Sequence, residues 1–313
     1  MAKNKKSSLK NALSSQQSRL KKKQEVKQAV EHQAMKSKSK TKAPPQRPTI
    51  PFLPTDRILL IGEGNFSYAL ALVLHPPLGL EHLPSENVTA TAYDSEDECY
   101  TKYPEAMQYV QTLREKGAQI MFGVDATRLE RCSPLKGKRY DRIVWNFPHA
   151  GKGITDQDRN VLSNQTLLLG FFRSAAQFLR PGPIPQATKP RKRKRAPDED
   201  DSDPPTEDES EKGNTGARGT VLVTLRNVPP YTTWDIPRLA KNPPPPHTIN
   251  VKPNPPYIIV RSFAFHRSDW QGYEHRMTKG ERAHGTGTTG AGGEDRTWEF
   301  CLRDWYTVKQ LAL

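Results

Sequence analysis

Residues 143–153, IVWNFPHAGKG, carry three apolar residues into an amide, an aromatic ring, a proline and an imidazole in succession: Asn146, Phe147, Pro148 and His149. A strand that ends this way can hold a flat heterocycle. Proline fixes the turn, so the carbonyl before it is held in place. That carbonyl and the Asn146 amide can read an N–H and a neighbouring C=O on the edge of a base. Phe147 or His149 can offer a face for stacking, about 1–3 kcal/mol per base. His149 is the one side chain in the stretch that titrates near neutrality, which makes it the candidate proton acceptor. A stacking or structural histidine is the alternative, as is a plain turn with Phe147 in the core.

A second group of residues points to a nucleotide-like ligand. Gly62, Glu63, Gly64, Asn65, Phe66 and Ser67 follow an apolar run and precede a helical pattern. Glycines in such a turn let the backbone approach a ligand closely. Asp94 ends the next strand candidate, where an acid can accept two ribose hydroxyl protons. Asp125 ends the third. It suits an adenine lying across the sheet, with the carboxylate accepting from the exocyclic amine and the Ala126 N–H facing a ring nitrogen. Each acid alone could equally be a turn residue or a helix cap. Three strand ends in register favour an adenosine-containing cofactor.

The elements that must position these residues alternate. Strand patterns occur at 57–61, 88–93, 120–124, 141–145 and 219–225, with later ones at 257–263 and 297–302. Helical patterns occupy 66–74, 104–116 (closed by Gly117) and 156–179, the last with a capping-box-like Thr155-Asp156-Gln157-Asp158 and a Pro181-Gly182 stop. Strands separated by helices predict a parallel α/β sheet, whose ligands bind beyond the carboxyl ends of the strands. The polar residues above fall at those ends.

Of the 313 residues only 34% are hydrophobic and 28 are proline, so part of the chain is expected to lack a core. Residues 1–49 hold 14 Lys and Arg against Glu25 and Glu31, a net of +12 out of +14 for the chain. They read as a disordered basic tail that binds a polyanion. Residues 186–218 run from Arg191-Lys192-Arg193-Lys194-Arg195 into an acidic stretch and read as a disordered insertion. It would divide the domain into 50–185 and 219–313, and its five cations are a nuclear-import candidate. The Gly- and Thr-rich 284–294 reads as a loop. Three scattered cysteines make neither a disulfide framework nor a zinc pair, and no metal-ligand cluster is visible. With no secretory leader and no apolar run of spanning length, a soluble intracellular protein is expected, monomeric by default.

Gly-Glu-Gly-Asn-Phe-Ser after a strand, Tyr-Asp-Ser after the next, Asn-Phe-Pro-His followed by Gly and Lys, and Gly272-Tyr273-Glu274-His275-Arg276-Met277-Thr278 resemble the fungal large-subunit (25S) ribosomal RNA uridine-N3-methyltransferase family. The Asn-aromatic-Pro-aromatic run also resembles the box of methyltransferases that modify a planar base nitrogen. The resemblance covers about 55–182 and 219–302. It implies a Rossmann-like class I methyltransferase, a mostly parallel twisted sheet with helices on both faces, using S-adenosyl-L-methionine on ribosomal RNA or a pre-ribosomal particle in the nucleolus. Carried over by position, Gly62, Gly64 and Phe66 border the methionine part of the cofactor. Asp94 holds the ribose, Asp125 and Ala126 the adenine, Asn146 to His149 the base, and His275 and Arg276 an RNA phosphate. The chain departs from the family's last motif at Gln271 and Met277. The competing readings are a methyltransferase of another nucleobase nitrogen and a catalytically idle assembly factor.

Overall fold

The computed structural model describes residues 49–185, 216–245, 253–277 and 293–304. The expected basic tail (apart from Thr49), most of the expected insertion and most of the 284–294 loop lie outside these residues. Residues 216–218, assigned above to the insertion, are described; Ala217 and Arg218 are buried.

Seven strands form one sheet: β1 (Ile58–Ile61), β2 (Val88–Thr91), β3 (Gln119–Met121), β4 (Arg142–Asn146), β5 (Thr220–Arg226), β6 (Tyr257–Ala264) and β7 (Asp295–Leu302). Their order is β3-β2-β1-β4-β5-β7-β6. The first five are parallel, and β7 runs antiparallel to both β5 and β6. β1 and β2 are buried along their whole length, as strands covered on both faces must be. Side chains alternate between the two faces. Leu59, Ile61, Ile143, Trp145, Val221 and Val223 share one apolar layer with the long helix α4 (Gln157–Ala175). Ile58, Leu60, Val88, Ala90, Val144 and Leu222 share the other with α1 (Ser67–Leu74) and α3 (Ala106–Glu115). This is the Rossmann-like class I methyltransferase arrangement expected from the sequence.

Two helices were not anticipated. α2 (Glu96–Lys102) follows β2 and starts with a capping box, Ser95 with Glu98. α5 (Ile236–Lys241) follows β5. The long helix also differs from expectation. Its cap is the Asp156 side chain, which accepts the Arg159 N–H, and the α-helix ends at Ala175 before a short 3-10 turn. Among the described residues, no helix is long and apolar enough to cross a membrane.

The sheet order decides where a site can form. From β1 the chain passes to β2 on one side, and β4 lies on the other. The order reverses at β1, so a crevice opens beyond the carboxyl ends of β1 and β4. The register sets Ile61 beside Trp145 and Asn146 beside Thr224. The loop after β1 and the turn after β4 therefore leave the sheet as neighbours.

Candidate functional site

A cleft opens at this point. Gly62, Glu63, Gly64 and Asn65 line it from β1, Asp94 from β2, Asn146 and Phe147 from β4, and Tyr273 to Arg276 from the C-terminal part of the chain. Sequence positions spread over more than 200 residues meet in one pocket.

Gly62 has φ +64°, and a Cβ placed there would lie 2.7 Å from the Trp145 indole nitrogen. Only glycine fits that turn. The Glu63 carboxylate turns back onto the first turn of α1 and accepts the Ala69 N–H at 3.2 Å. It supplies a cap that the Ncap residue, Phe66 at φ 64°, does not. Burial pushes the Glu63 carboxyl up to about 7, against the opposing backbone N–H groups of Ala69 and Tyr68. The Asn65 side chain donates to Glu105 and accepts from the Ser67 N–H, so it ties the loop together. Phe66 departs from expectation. Its ring is fully buried, 5.3 Å from that of Phe122, and packs beneath the loop instead of bordering the cleft.

Asp94 lines the cleft and pairs with Lys102 of α2 at 2.6 Å. Lys102 was missed because α2 was missed; the Ser95-x-x-Glu98 box was the available signal. Tyr93, beside Asp94, also lines the cleft and is 72% exposed, a large aromatic face left open to solvent. Asp125 and Ala126 do not line it. Asp125 accepts both the N–H and the hydroxyl of Thr127, capping the 3-10 turn Ala126–Arg131, and Ala126 is buried in the core. One carboxylate oxygen thus fills the helix-cap alternative given above.

At the end of β4 the four residues separate. The Asn146 amide nitrogen and oxygen are both buried, and neither makes a hydrogen bond. Burial, then Glu63 and Tyr273, push the Tyr68 phenol well above its usual range; the Asn146 amide opposes them, but the contact falls short of hydrogen-bond geometry. Phe147 has φ 52°, unusual for a residue with a side chain, and its N–H donates to the Thr224 carbonyl. Its ring lines the cleft but is not free on all sides: the Arg267 guanidinium lies over it at 5.0 Å and the His275 ring meets it at 4.4 Å. Pro148 is buried. His149 is outside the cleft lining. Its Nδ1 accepts the Gly151 N–H at 2.9 Å and its ring lies 6.0 Å from that of Trp234. An accepting Nδ1 puts the proton of the neutral ring on Nε2, so this histidine has no lone pair to offer. The arrangement favours the structural-histidine alternative over the proton acceptor.

The C-terminal segment lies across the glycine loop. The Ser67 hydroxyl donates to the Glu274 carbonyl and accepts the Glu274 N–H. The Tyr103 hydroxyl donates to the Met277 carbonyl at 2.6 Å. Arg276 pairs with Glu105 and Glu274, and its Cβ lies 3.6 Å from the position of a Gly64 Cβ. His275 is half-buried beside Phe147, and its Nδ1 is 3.4 Å from the Tyr273 hydroxyl. Burial, with Arg267 and Arg226 adding to it, pulls the imidazole down to about 4. The ring is held neutral, and the arginine is paired with two carboxylates. Both residues belong to the cleft wall, and sequence spacing alone could not show that Glu105 and Ser67 would be their neighbours.

A profile of the BMT5-like family, described as rRNA (uridine-N3-)-methyltransferase BTM5-like, matches residues 59–277. The chain belongs to this family. It is 27% identical over 257 residues to the 25S rRNA (uridine(2634)-N(3))-methyltransferase of Saccharomyces cerevisiae, covering 76% of this chain and 70% of that protein. It is also 27% identical over 227 residues to heavy metal-associated isoprenylated plant protein 41 of Arabidopsis thaliana, of which it spans 34%. Over 123 residues it is 40% identical to the ferredoxin-fold anticodon-binding domain-containing protein 1 homolog of Mus musculus, of which it spans 18%. The BMT5-like region thus occurs in chains much longer than this one. Among solved structures, a mutant 16S rRNA (adenine(1408)-N(1))-methyltransferase from Catenulisporales acidiphilia aligns with 79% of this chain and 87% of its own at 11% identity and TM-score 0.29, too slight a likeness to argue from.

Proposed function

We propose that this protein uses S-adenosyl-L-methionine to methylate N3 of a uridine in large-subunit ribosomal RNA, and that it works in the nucleus, at the nucleolus, on the RNA or a pre-ribosomal particle. The observation that carries the reading is Asn146. Among the described residues its buried amide reaches only the Tyr68 phenol, short of hydrogen-bond geometry, and an unsatisfied buried polar group costs about 1–3 kcal/mol. It stands on the wall of a cleft that also holds a glycine turn and a strand-end acid. A uridine edge supplies the missing partners, because N3–H lies between two carbonyls. The amide NH₂ can donate to one of them and the amide oxygen can accept from N3–H. As the N3 proton passes to a water molecule, charge grows on that carbonyl, and a fixed donor then holds it more strongly.

The remaining residues fit the cofactor. Gly62 and Gly64 leave backbone bare where a Cβ would otherwise fill the turn, so the methionine part can lie against the chain. Asp94 faces the cleft for the ribose hydroxyls, with Lys102 holding it in place. When bound, the cofactor supplies a methyl group on a positively charged sulfur. The chain's own work is to hold the base edge-on to that methyl, which is worth several orders of magnitude in rate. In a paired helix the N3 edge is occupied, so the target must be unpaired or flipped out. The imidazole that faces this cleft is His275, not His149.

The test is mass spectrometry of nucleosides from large-subunit rRNA incubated with the protein and S-adenosyl-L-methionine, beside Asn146→Ala. N3-methyluridine with the parent protein, and its loss in the variant, is expected. Methylation of another base, or cofactor binding without any product on rRNA or pre-ribosomal particles, would overturn the reading.

A further inference from the structure

Three carboxylates line the cleft: Glu63, Asp94 and Glu274. Asp94 faces Lys102 at 2.6 Å, and Glu274 faces Arg276 at 2.7 Å. Among the described residues, Glu63 has no lysine, arginine or histidine in ion-pair range; its hydrogen bonding is to the backbone at the start of α1. The titratable groups around it are the phenols of Tyr68, from α1, and Tyr273, from the C-terminal segment, both uncharged at neutral pH. Farther along the cleft stand the Asp94–Lys102 pair, the Arg276 pairs with Glu105 and Glu274, and the neutral His275. Among the described residues the cleft therefore holds one carboxylate with no cationic partner, set between two glycines that open the backbone to a ligand.

We infer that Glu63 is a specificity residue: its carboxylate is the counter-charge that makes the cleft prefer the sulfonium of S-adenosyl-L-methionine to the uncharged sulfur of the spent cofactor, S-adenosyl-L-homocysteine. The inference rests on the cofactor proposed above and extends it to the release of product. With no ligand, burial leaves the carboxyl half-protonated near pH 7. A cationic ligand favours the ionised form, so binding it expels a proton. A ligand without the sulfonium gives less reason to ionise. Once the methyl has left, the counter-charge loses its partner and the spent cofactor dissociates more readily. The two ligands share their amino and carboxyl groups, so the ratio of their affinities isolates the sulfur.

Calorimetry on the whole chain tests this, with each ligand at pH 6, 7 and 8 in two buffers of different ionisation enthalpy. The preference for the sulfonium ligand is expected to rise about tenfold between pH 6 and 8, with more protons released by that ligand than by the spent one. In Glu63→Gln the side-chain oxygen still accepts the Ala69 N–H, and the ratio is expected to be flat. A flat ratio in the parent protein, or the same rise in the variant, overturns the inference. The proton count in the parent protein decides the matter even if the variant fails to fold. If both ligands bind with a flat ratio, this inference alone fails; if neither binds at any pH, the cofactor reading fails with it.

Discussion

An unpartnered buried amide is a place where stability and function pull in opposite directions. Replacing Asn146 by alanine removes two polar atoms that the described residues leave without hydrogen bonds. The melting temperature of Asn146→Ala is therefore expected to hold or rise, while the rate of methyl transfer falls by about 100-fold, on the scale of losing one fixed donor to a developing charge. Calorimetric melting and a labelled-methyl assay check the two halves. His275 supplies a pH test. Its pKa lies near 4 in the folded chain, below the ordinary 6.5, so protonation favours the unfolded chain. Stability is present above pH 6.5 and is lost as pH falls from about 6.5 through 4. His275→Asn is expected to flatten that acid-side loss in melts taken from pH 7.5 to 4.5. His149→Gln should cost much less activity than Asn146→Ala, because the histidine's ring nitrogen serves Gly151. Gly62, Asp94 and Asn146 were legible because their residue types and strand-end positions together imply a ligand. The swap between the two histidines was not legible. It depends on which ring nitrogen the backbone engages and on where the last motif comes to rest, and neither is local.

At the scale of elements, the glycine turn and the C-terminal segment share one device. The Ser67 hydroxyl, on the first turn of α1, makes two hydrogen bonds to the backbone of Glu274. Ser67→Ala leaves the Glu274 N–H and C=O without that partner and is expected to cost about 1 kcal/mol. Because Glu274 and His275 wall the cleft, the same change is expected to weaken binding of S-adenosyl-L-methionine; denaturant melts and calorimetry measure the two effects. Binding that stayed intact despite lost stability would show the segment to be a brace only. The five parallel strands were readable from apolar runs bounded by Gly and Asp. α2 was overlooked because its seven residues include three acids and show no apolar stripe. Its box was nevertheless written in Ser95 and Glu98. The long helix ran short of expectation because its final residues tighten into a 3-10 turn, a change that the side-chain pattern does not encode.

For the whole molecule, charge is the first divider. Residues 1–49 carry +12 of the net +14, so removing them is expected to weaken RNA association and flatten its dependence on salt. Filter binding from 50 to 300 mM salt checks this, and equal slopes for both forms would count against the tail as a phosphate contact. The flanks of the 186–215 stretch are pinned to each other. Arg218 N–H donates to the Pro183 carbonyl, Gly219 N–H to the Arg180 carbonyl, and the Arg218 guanidinium to the Gly182 carbonyl. Replacing 186–215 by a short Gly-Ser turn should therefore leave the melting temperature unchanged or slightly higher, since a shorter closure costs less entropy. The order of the sheet has a consequence for how the protein is made. β7 sits between β5 and β6 but follows both in the chain. A ribosome thus delivers β6, and the cleft-walling residues after it, before the strand that will attach β6 to the sheet. Until then β6 waits with both edges bare, and a nascent chain stalled in that interval is the form that would most need a chaperone.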